Sequence, residues 1–208
     1  MPGFASLLLS APAILFGLTI HEFSHGYVAW RLGDPTAHAL GRLTLNPLKH
    51  LDPIGTIALF LFRFGWAKPV PIDPTYFRHP TRDLAIAALA GPAANLLTAV
   101  AAGGVVRLLT LLGVSGFWWI LANYFVIFNL ILCFFNLIPI PPLDGSRLVY
   151  HLLPARLAEG YARLERYGFI ILIGIIFVGQ FTGISLFSLY ITPVLRLLGL
   201  ILTGRPLA

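Results

Sequence analysis

Four long apolar stretches divide the chain, from about Phe4 to Trp30, Leu84 to Leu112, Phe117 to Ile138 and Phe169 to about Leu202. A helix needs about 20 apolar residues to cross a bilayer, so each stretch predicts at least one span. The last is long enough for a tilted span plus a broken one, with Gly179, Gly183 and Pro193 as break points. A shorter run, Ile54 to Phe64, has 11 residues and contains Arg63. It is too short to cross and predicts an interfacial or re-entrant segment. Between these stretches, Arg42-Leu43-Thr44-Leu45-Asn46 alternates with period two and predicts a short strand. Asn46-Pro47 reads as an N-cap followed by proline at the first helical position. Pro69, Pro71 and Pro74 make Lys68–Pro74 extended. The chain shows no internal repeat, linker or low-complexity tract. The pattern predicts one integral-membrane core over residues 1–208. The expected fold is an all-α polytopic membrane protein with about four to six transmembrane or re-entrant helical segments and a small membrane-associated strand region.

Composition excludes the alternatives. Of 208 residues, 58% are hydrophobic and 11% charged, against roughly 25% charged in soluble domains. Mean hydropathy is +0.86. A soluble globule of this size has too little interior for so much apolar surface, and a disordered chain would be polar. The net charge of +6 does not imply nucleic acid, because the cations follow the positive-inside pattern of cytoplasmic loops and no basic run is interleaved with aromatics. Seven of the fourteen Lys and Arg fall in residues 31–82, four in 144–167 and none in Gly113–Gly116. The first and third connections are therefore expected in the cytoplasm, and the second connection and the N-terminus outside. No Lys or Arg precedes Arg31, so the first stretch lacks the basic flank of a signal peptide. The single cysteine, Cys133, excludes an internal disulfide and a Cys-based zinc site.

The chemistry gathers at His21-Glu22-Phe23-Ser24-His25. On a helix, positions i and i+4 share a face, so both imidazoles can reach one metal ion, while Glu22 lies one step round, beside a metal-bound water. Three ionisable groups in an apolar span are costly without a use. A catalytic zinc needs a third protein ligand. Asp144 is the best candidate, at the end of Asn136-Leu137-Ile138-Pro139-Ile140-Pro141-Pro142-Leu143-Asp144-Gly145; the competing role is a helix cap before Gly145-Ser146-Arg147. Topology favours the ligand, because the first and third spans both end inside and bring the two motifs to one membrane face. His38, His50, His79 and His151 read as surface or capping residues, and Asn123 and Asn129 as packing contacts.

The His21–His25 motif, Gly91-Pro92-Ala93-Ala94-Asn95 and Asn136–Gly145, taken in order with Gly33-Asp34-Pro35-Thr36 and Gly41–Pro47, resemble the site-2 protease family of intramembrane zinc metalloproteases. The resemblance covers nearly the whole chain and is to the compact bacterial branch, without PDZ or CBS domains. It implies one Zn2+ per chain on His21, His25 and Asp144, with Glu22 as general base. It also implies a transmembrane protein substrate cut within its own span, as in regulated intramembrane proteolysis, at a multi-pass protein of the bacterial cell membrane whose site faces the cytoplasm. Asn95 and Asn136 match family asparagines that contact the substrate backbone or the oxyanion; interhelical hydrogen bonding is their other reading. Residues 40–46 and 68–73 would pair with an unwound substrate. A catalytically silent membrane-binding scaffold of the same fold is the alternative, and intact Glu22 and Asp144 argue against it.

Overall fold

The computed structural model describes residues 4–62, 65–182 and 187–207. Among the described residues, eight α-helices follow in order: α1 (Phe4–Arg31), α2 (Thr36–Ala39), α3 (Pro53–Phe62), α4 (Pro80–Leu111), α5 (Phe117–Asn136), α6 (Asp144–Leu152), α7 (Ala155–Thr182) and α8 (Thr192–Thr203). The apolar stretches thus become α1, α4, α5 and the pair α7–α8. Both α4 and α5 are long and apolar enough to cross a membrane. The short run becomes α3, whose 10 residues span about 15 Å at 1.5 Å per residue, half a bilayer core. Within the last stretch, α7 continues through Gly179, and Pro193 sits in the first turn of α8, where a missing N–H costs nothing. Gly183 and Arg63 lie outside the described residues.

α4 is the central element and packs against α1, α5, α6 and α8. Small residues allow the close approach: a Cβ on Gly103 would stand 2.8 Å from that of Leu202 on α8. Ala99, Val106, Val126, Leu130, Ile191 and Leu195 form the core between α4, α5 and α8. A second cluster, Ala29, Phe77 and Ala87, joins the end of α1 to the start of α4. A third, Ile138, Leu143 and Leu172, joins the chain after α5 to α7. The His21–His25 motif and Asp144 lie between the last two. Arg107 donates to the carbonyls of Leu202 (2.8 Å) and Ile201 (2.5 Å). Those carbonyls lack intrahelical partners at the end of α8 and attract a cation.

The strand expected at Arg42–Asn46 is not formed. Among the described residues there is no strand, only an isolated antiparallel bridge between Leu51 and Ala67. Local partners take the backbone groups instead: Arg42 N donates to Ala37 O, Thr44 N to Arg42 O, and Asn46 N to the Thr44 hydroxyl. His50 holds Thr44 O through Nε2 at 2.8 Å. The Asn46 cap does form, its side chain accepting from Leu48 N at 3.1 Å. Residues 68–73 are extended without a strand partner and are fixed by separate contacts. Lys68 N donates to His50 O, and Arg42 Nη2 donates to Lys68 O. Asp73 N donates to Asp34 Oδ2 at 2.8 Å. The Thr75 hydroxyl and N–H in turn hold the Asp73 carboxyl below its usual range.

Candidate metal centre

α1 places His21 and His25 one turn apart on one face, with their rings edge to face and centroids 4.5 Å apart. Both are buried, at 5% and 7% exposure. The third group arrives from α6. Prolines 139, 141 and 142 cannot donate to a helical ladder, so α5 stops at Asn136 and the chain turns back tightly, with Ile140 N on Ile138 O and Leu143 N on Ile140 O. Gly145 is required for that return, because a Cβ there would stand 2.3 Å from Leu137 O. The result sets Asp144 Oδ2 3.1 Å from His21 Nε2 and 3.3 Å from His25 Nε2. The helix-cap role does not describe this side chain: Leu143 holds the cap position, and Asp144 Oδ2 is buried without a hydrogen-bond partner.

α4 forms the back of the site from Ala87, Gly91 and Asn95, three positions one turn apart. His25 Nδ1 donates to Ala87 O at 2.8 Å, and His21 Nδ1 donates to Asn95 Oδ1 at 2.6 Å. Between them Gly91 leaves room for the rings; a Cβ would stand 2.4 Å from His25 Nε2 and 2.7 Å from His21 Cε1. Carbonyl oxygens only accept, so Nδ1 of each ring carries a proton, and in the neutral rings both Nε2 lone pairs face the Asp144 oxygen. The three ligand atoms lie within 4.8 Å of one another. Two lone pairs and a carboxylate oxygen repel one another in an apolar interior unless a proton or a metal ion lies among them. Imidazole nitrogen and carboxylate oxygen are zinc donors, and three such ligands with space in front match a catalytic site. The residues therefore fit the metal.

In front lies a cavity of about 710 Å³, lined by Glu22, Asn136, Asp144 and the two histidines, with Val70, Trp66 and Phe169 on the facing side. Trp66 and Phe169 meet edge to face at 5.5 Å. Glu22 Oε2 accepts from Val70 N at 2.8 Å, so the extended segment lies directly against it. Pro69 and Pro71 carry no N–H, which leaves Val70 the donor at this point. Val70 itself is buried against α1: a Cβ on Gly26 would stand 3.0 Å from its Cγ1. Asn136 lines the cavity while donating to Leu132 O.

Asn95 occupies a different place from the substrate or oxyanion contact expected of it. It is fully buried, its Oδ1 is on His21, and its Nδ2 donates to Gly17 O (2.9 Å) and Asn129 Oδ1 (2.8 Å). No polar group is left for the cavity. Asn129, expected as a packing contact, is thereby part of the site's support. The signal for it was an amide inside an apolar span two turns before Asn136. His50 is buried at 1% rather than exposed, and His38 stacks on Trp30.

Comparisons with known proteins bear on this geometry. The family model described as Peptidase family M50 matches residues 103–179. The chain is 40% identical over 164 residues to the "Putative zinc metalloprotease YwhC" of Bacillus subtilis, covering 76% of this chain and 75% of that protein. It is 34% identical over 173 residues to the "Putative zinc metalloprotease Rip2" of Mycolicibacterium smegmatis, covering 76% of this chain and 62% of that protein. No solved structure matches. The extent of the first likeness, over a chain that carries the His21–His25 pair and Asp144 at one point, shows that it belongs to the M50 peptidases, the site-2 protease family.

Proposed function

We propose that this chain is an intramembrane zinc endopeptidase that hydrolyses a peptide bond within or near a transmembrane segment of a membrane-protein substrate, as in regulated intramembrane proteolysis. The observation that carries the reading is the opening of the His21–His25–Asp144 cluster onto the cavity that also holds Glu22. His21 Nε2, His25 Nε2 and Asp144 Oδ2 would hold one zinc. When bound, it would supply the Lewis acidity that lets water ionise near neutral pH and polarises a carbonyl. Glu22 takes the proton of the attacking water and returns it to the leaving amine nitrogen. The Val70 N–H keeps the Glu22 carboxylate turned into the cavity. Asn136 lies where its amide can meet the substrate carbonyl or the oxyanion. A helical substrate hides its carbonyls, so it unwinds locally before attack, and the cavity admits water from the cytoplasmic side.

The setting is a multi-pass protein of a bacterial cell membrane, in contact with lipid and not with nucleic acid, its site toward the cytoplasm. The cation distribution supports this orientation. In a Cys133→Ser background, cysteines at the exposed positions His38 and Glu159 resist impermeant thiol reagents in intact cells and react after lysis. Labelling of both in intact cells overturns the orientation. The activity is tested with purified protein in liposomes, with zinc measured on the same sample. Wild type cleaves a transmembrane substrate within its span and carries about one zinc, as one catalytic site requires. Zinc-loaded wild type that cleaves nothing in a broad screen of membrane proteins favours the silent scaffold.

A further inference from the structure

The two histidines obtain their orientation in different ways. His25 Nδ1 meets a backbone carbonyl, Ala87 O, which can only accept, so its tautomer needs no other support. His21 Nδ1 meets a side-chain amide, which can present either an oxygen or an NH2 group. If Asn95 turned its NH2 to His21, Nδ1 would become the acceptor, the proton would move to Nε2, and the lone pair facing Asp144 would be lost. Something must fix the amide. Its NH2 end meets two acceptors, Gly17 O on α1 and Asn129 Oδ1 on α5. Asn129 is an amide too, and its own NH2 donates to Phe125 O at 2.9 Å. The chain of amides thus ends on two backbone carbonyls that cannot reverse their polarity. All of it is dry: Asn95 and Asn129 are both 0% exposed. The approach depends on Gly17, whose Cβ would stand 3.1 Å from Asn129 Oδ1.

We propose that Asn129 is a positioning residue that, acting through Asn95, fixes the His21 tautomer and with it the zinc affinity of the site. The proposal rests on the ligand set proposed above. A turned amide at Asn95 would point two donor hydrogens away from Gly17 O and Asn129 Oδ1 and bring oxygen against oxygen, so Asn129 contributes one of the two contacts that forbid it. Supporting groups behind a ligating histidine commonly change metal affinity about 10- to 100-fold when removed.

The test is zinc affinity by chelator competition on detergent-purified full-length protein, with thermal stability measured on the same samples. His21→Ala loses tight zinc binding; if it does not, the ligand set is wrong and the role of Asn129 falls with it. With that established, Asn129→Leu weakens zinc binding about 10- to 100-fold. Asn129→Asp, which keeps an oxygen facing Asn95, restores most of the affinity. Asn95→Ala combined with Asn129→Ala costs no more affinity than Asn95→Ala alone, because both act through one contact. Asn123→Leu is the control on the same helix: its amide donates only to Trp119 O, so it lowers stability and leaves zinc affinity unchanged. In the apo protein, ¹⁵N shifts of His21 report Nδ1–H in wild type and a mixture of tautomers in Asn129→Leu. An Asn129→Leu protein that binds zinc within twofold of wild type, or that loses stability and affinity in the same proportion as Asn123→Leu, overturns the proposal.

Discussion

The two sides of the metal cavity are built on opposite terms. Behind the histidines, α1, α4 and α5 meet in a dry junction where the amides of Asn95 and Asn129 and the ring Nδ1 atoms have partners. Small residues at 17 and 91 set the spacing there, and each would clash if it gained a Cβ. In front, an extended segment with two prolines and the outer helix α7 line the opposite side of the cavity, with contacts such as Val70 to Glu22 and Trp66 to Phe169. Of the helices, α7 makes its main contacts with α6. Metal sites need fixed ligands, because a misplaced lone pair is lost outright. A peptide-binding cleft needs room and few commitments, because its occupant brings its own hydrogen-bonding groups. Under the proposed function the two requirements fall on separate elements, so they are separable by mutation.

The largest expected effect is on the front. Glu22→Gln keeps the shape of the side chain and leaves the ligands alone, but glutamine cannot take a proton from water. Cleavage falls roughly 10²–10⁴-fold while zinc content stays at the wild-type value. Equal rates for mutant and wild type would reject Glu22 as the base.

Gly91→Ala strikes the back. Its methyl would stand 2.4 Å from His25 Nε2, so the rings or α4 must shift. Zinc affinity falls at least about 10-fold, the range for disturbed support of a ligand, and activity falls with it. Chelator competition reads the first, and excess zinc does not recover the full rate. Retained affinity would show that the junction yields more easily than its packing indicates.

Val70→Pro removes the N–H that Glu22 accepts and leaves the metal ligands untouched. A charge-assisted hydrogen bond is worth about 1.5–3 kcal/mol in general, but the carboxylate can turn to water. The rate therefore changes by roughly 10-fold or less, with zinc affinity equal to wild type. A loss of zinc here would mean that front and back are coupled.

The smallest effect lies outside the comparison. Arg107→Gln removes the guanidinium from the carbonyl end of α8. Stability falls by about 1 kcal/mol, read as a lowered Tm, with zinc affinity and cleavage unchanged.

Sequence alone determined the long apolar helices and the pairing of the two imidazoles. The helices α1, α4 and α5 follow from apolar length, and the paired imidazoles from i,i+4 spacing, because both are local properties of a helix. The prolines at 139, 141 and 142 announced a break after α5 for the same reason. Local patterning misled at Arg42–Asn46, because a strand requires a partner and the nearby carbonyls and hydroxyls satisfied that backbone first. Tertiary structure decided what depends on elements far apart in the chain. It gave Asp144 to the histidines rather than to the end of α6, turned Asn95 from the cavity to His21, and set Asn129 against Asn95. An amide in an apolar span needs a partner, but which helix supplies it is set by packing: only the meeting of residues 17, 95 and 129 fixes where each hydrogen goes.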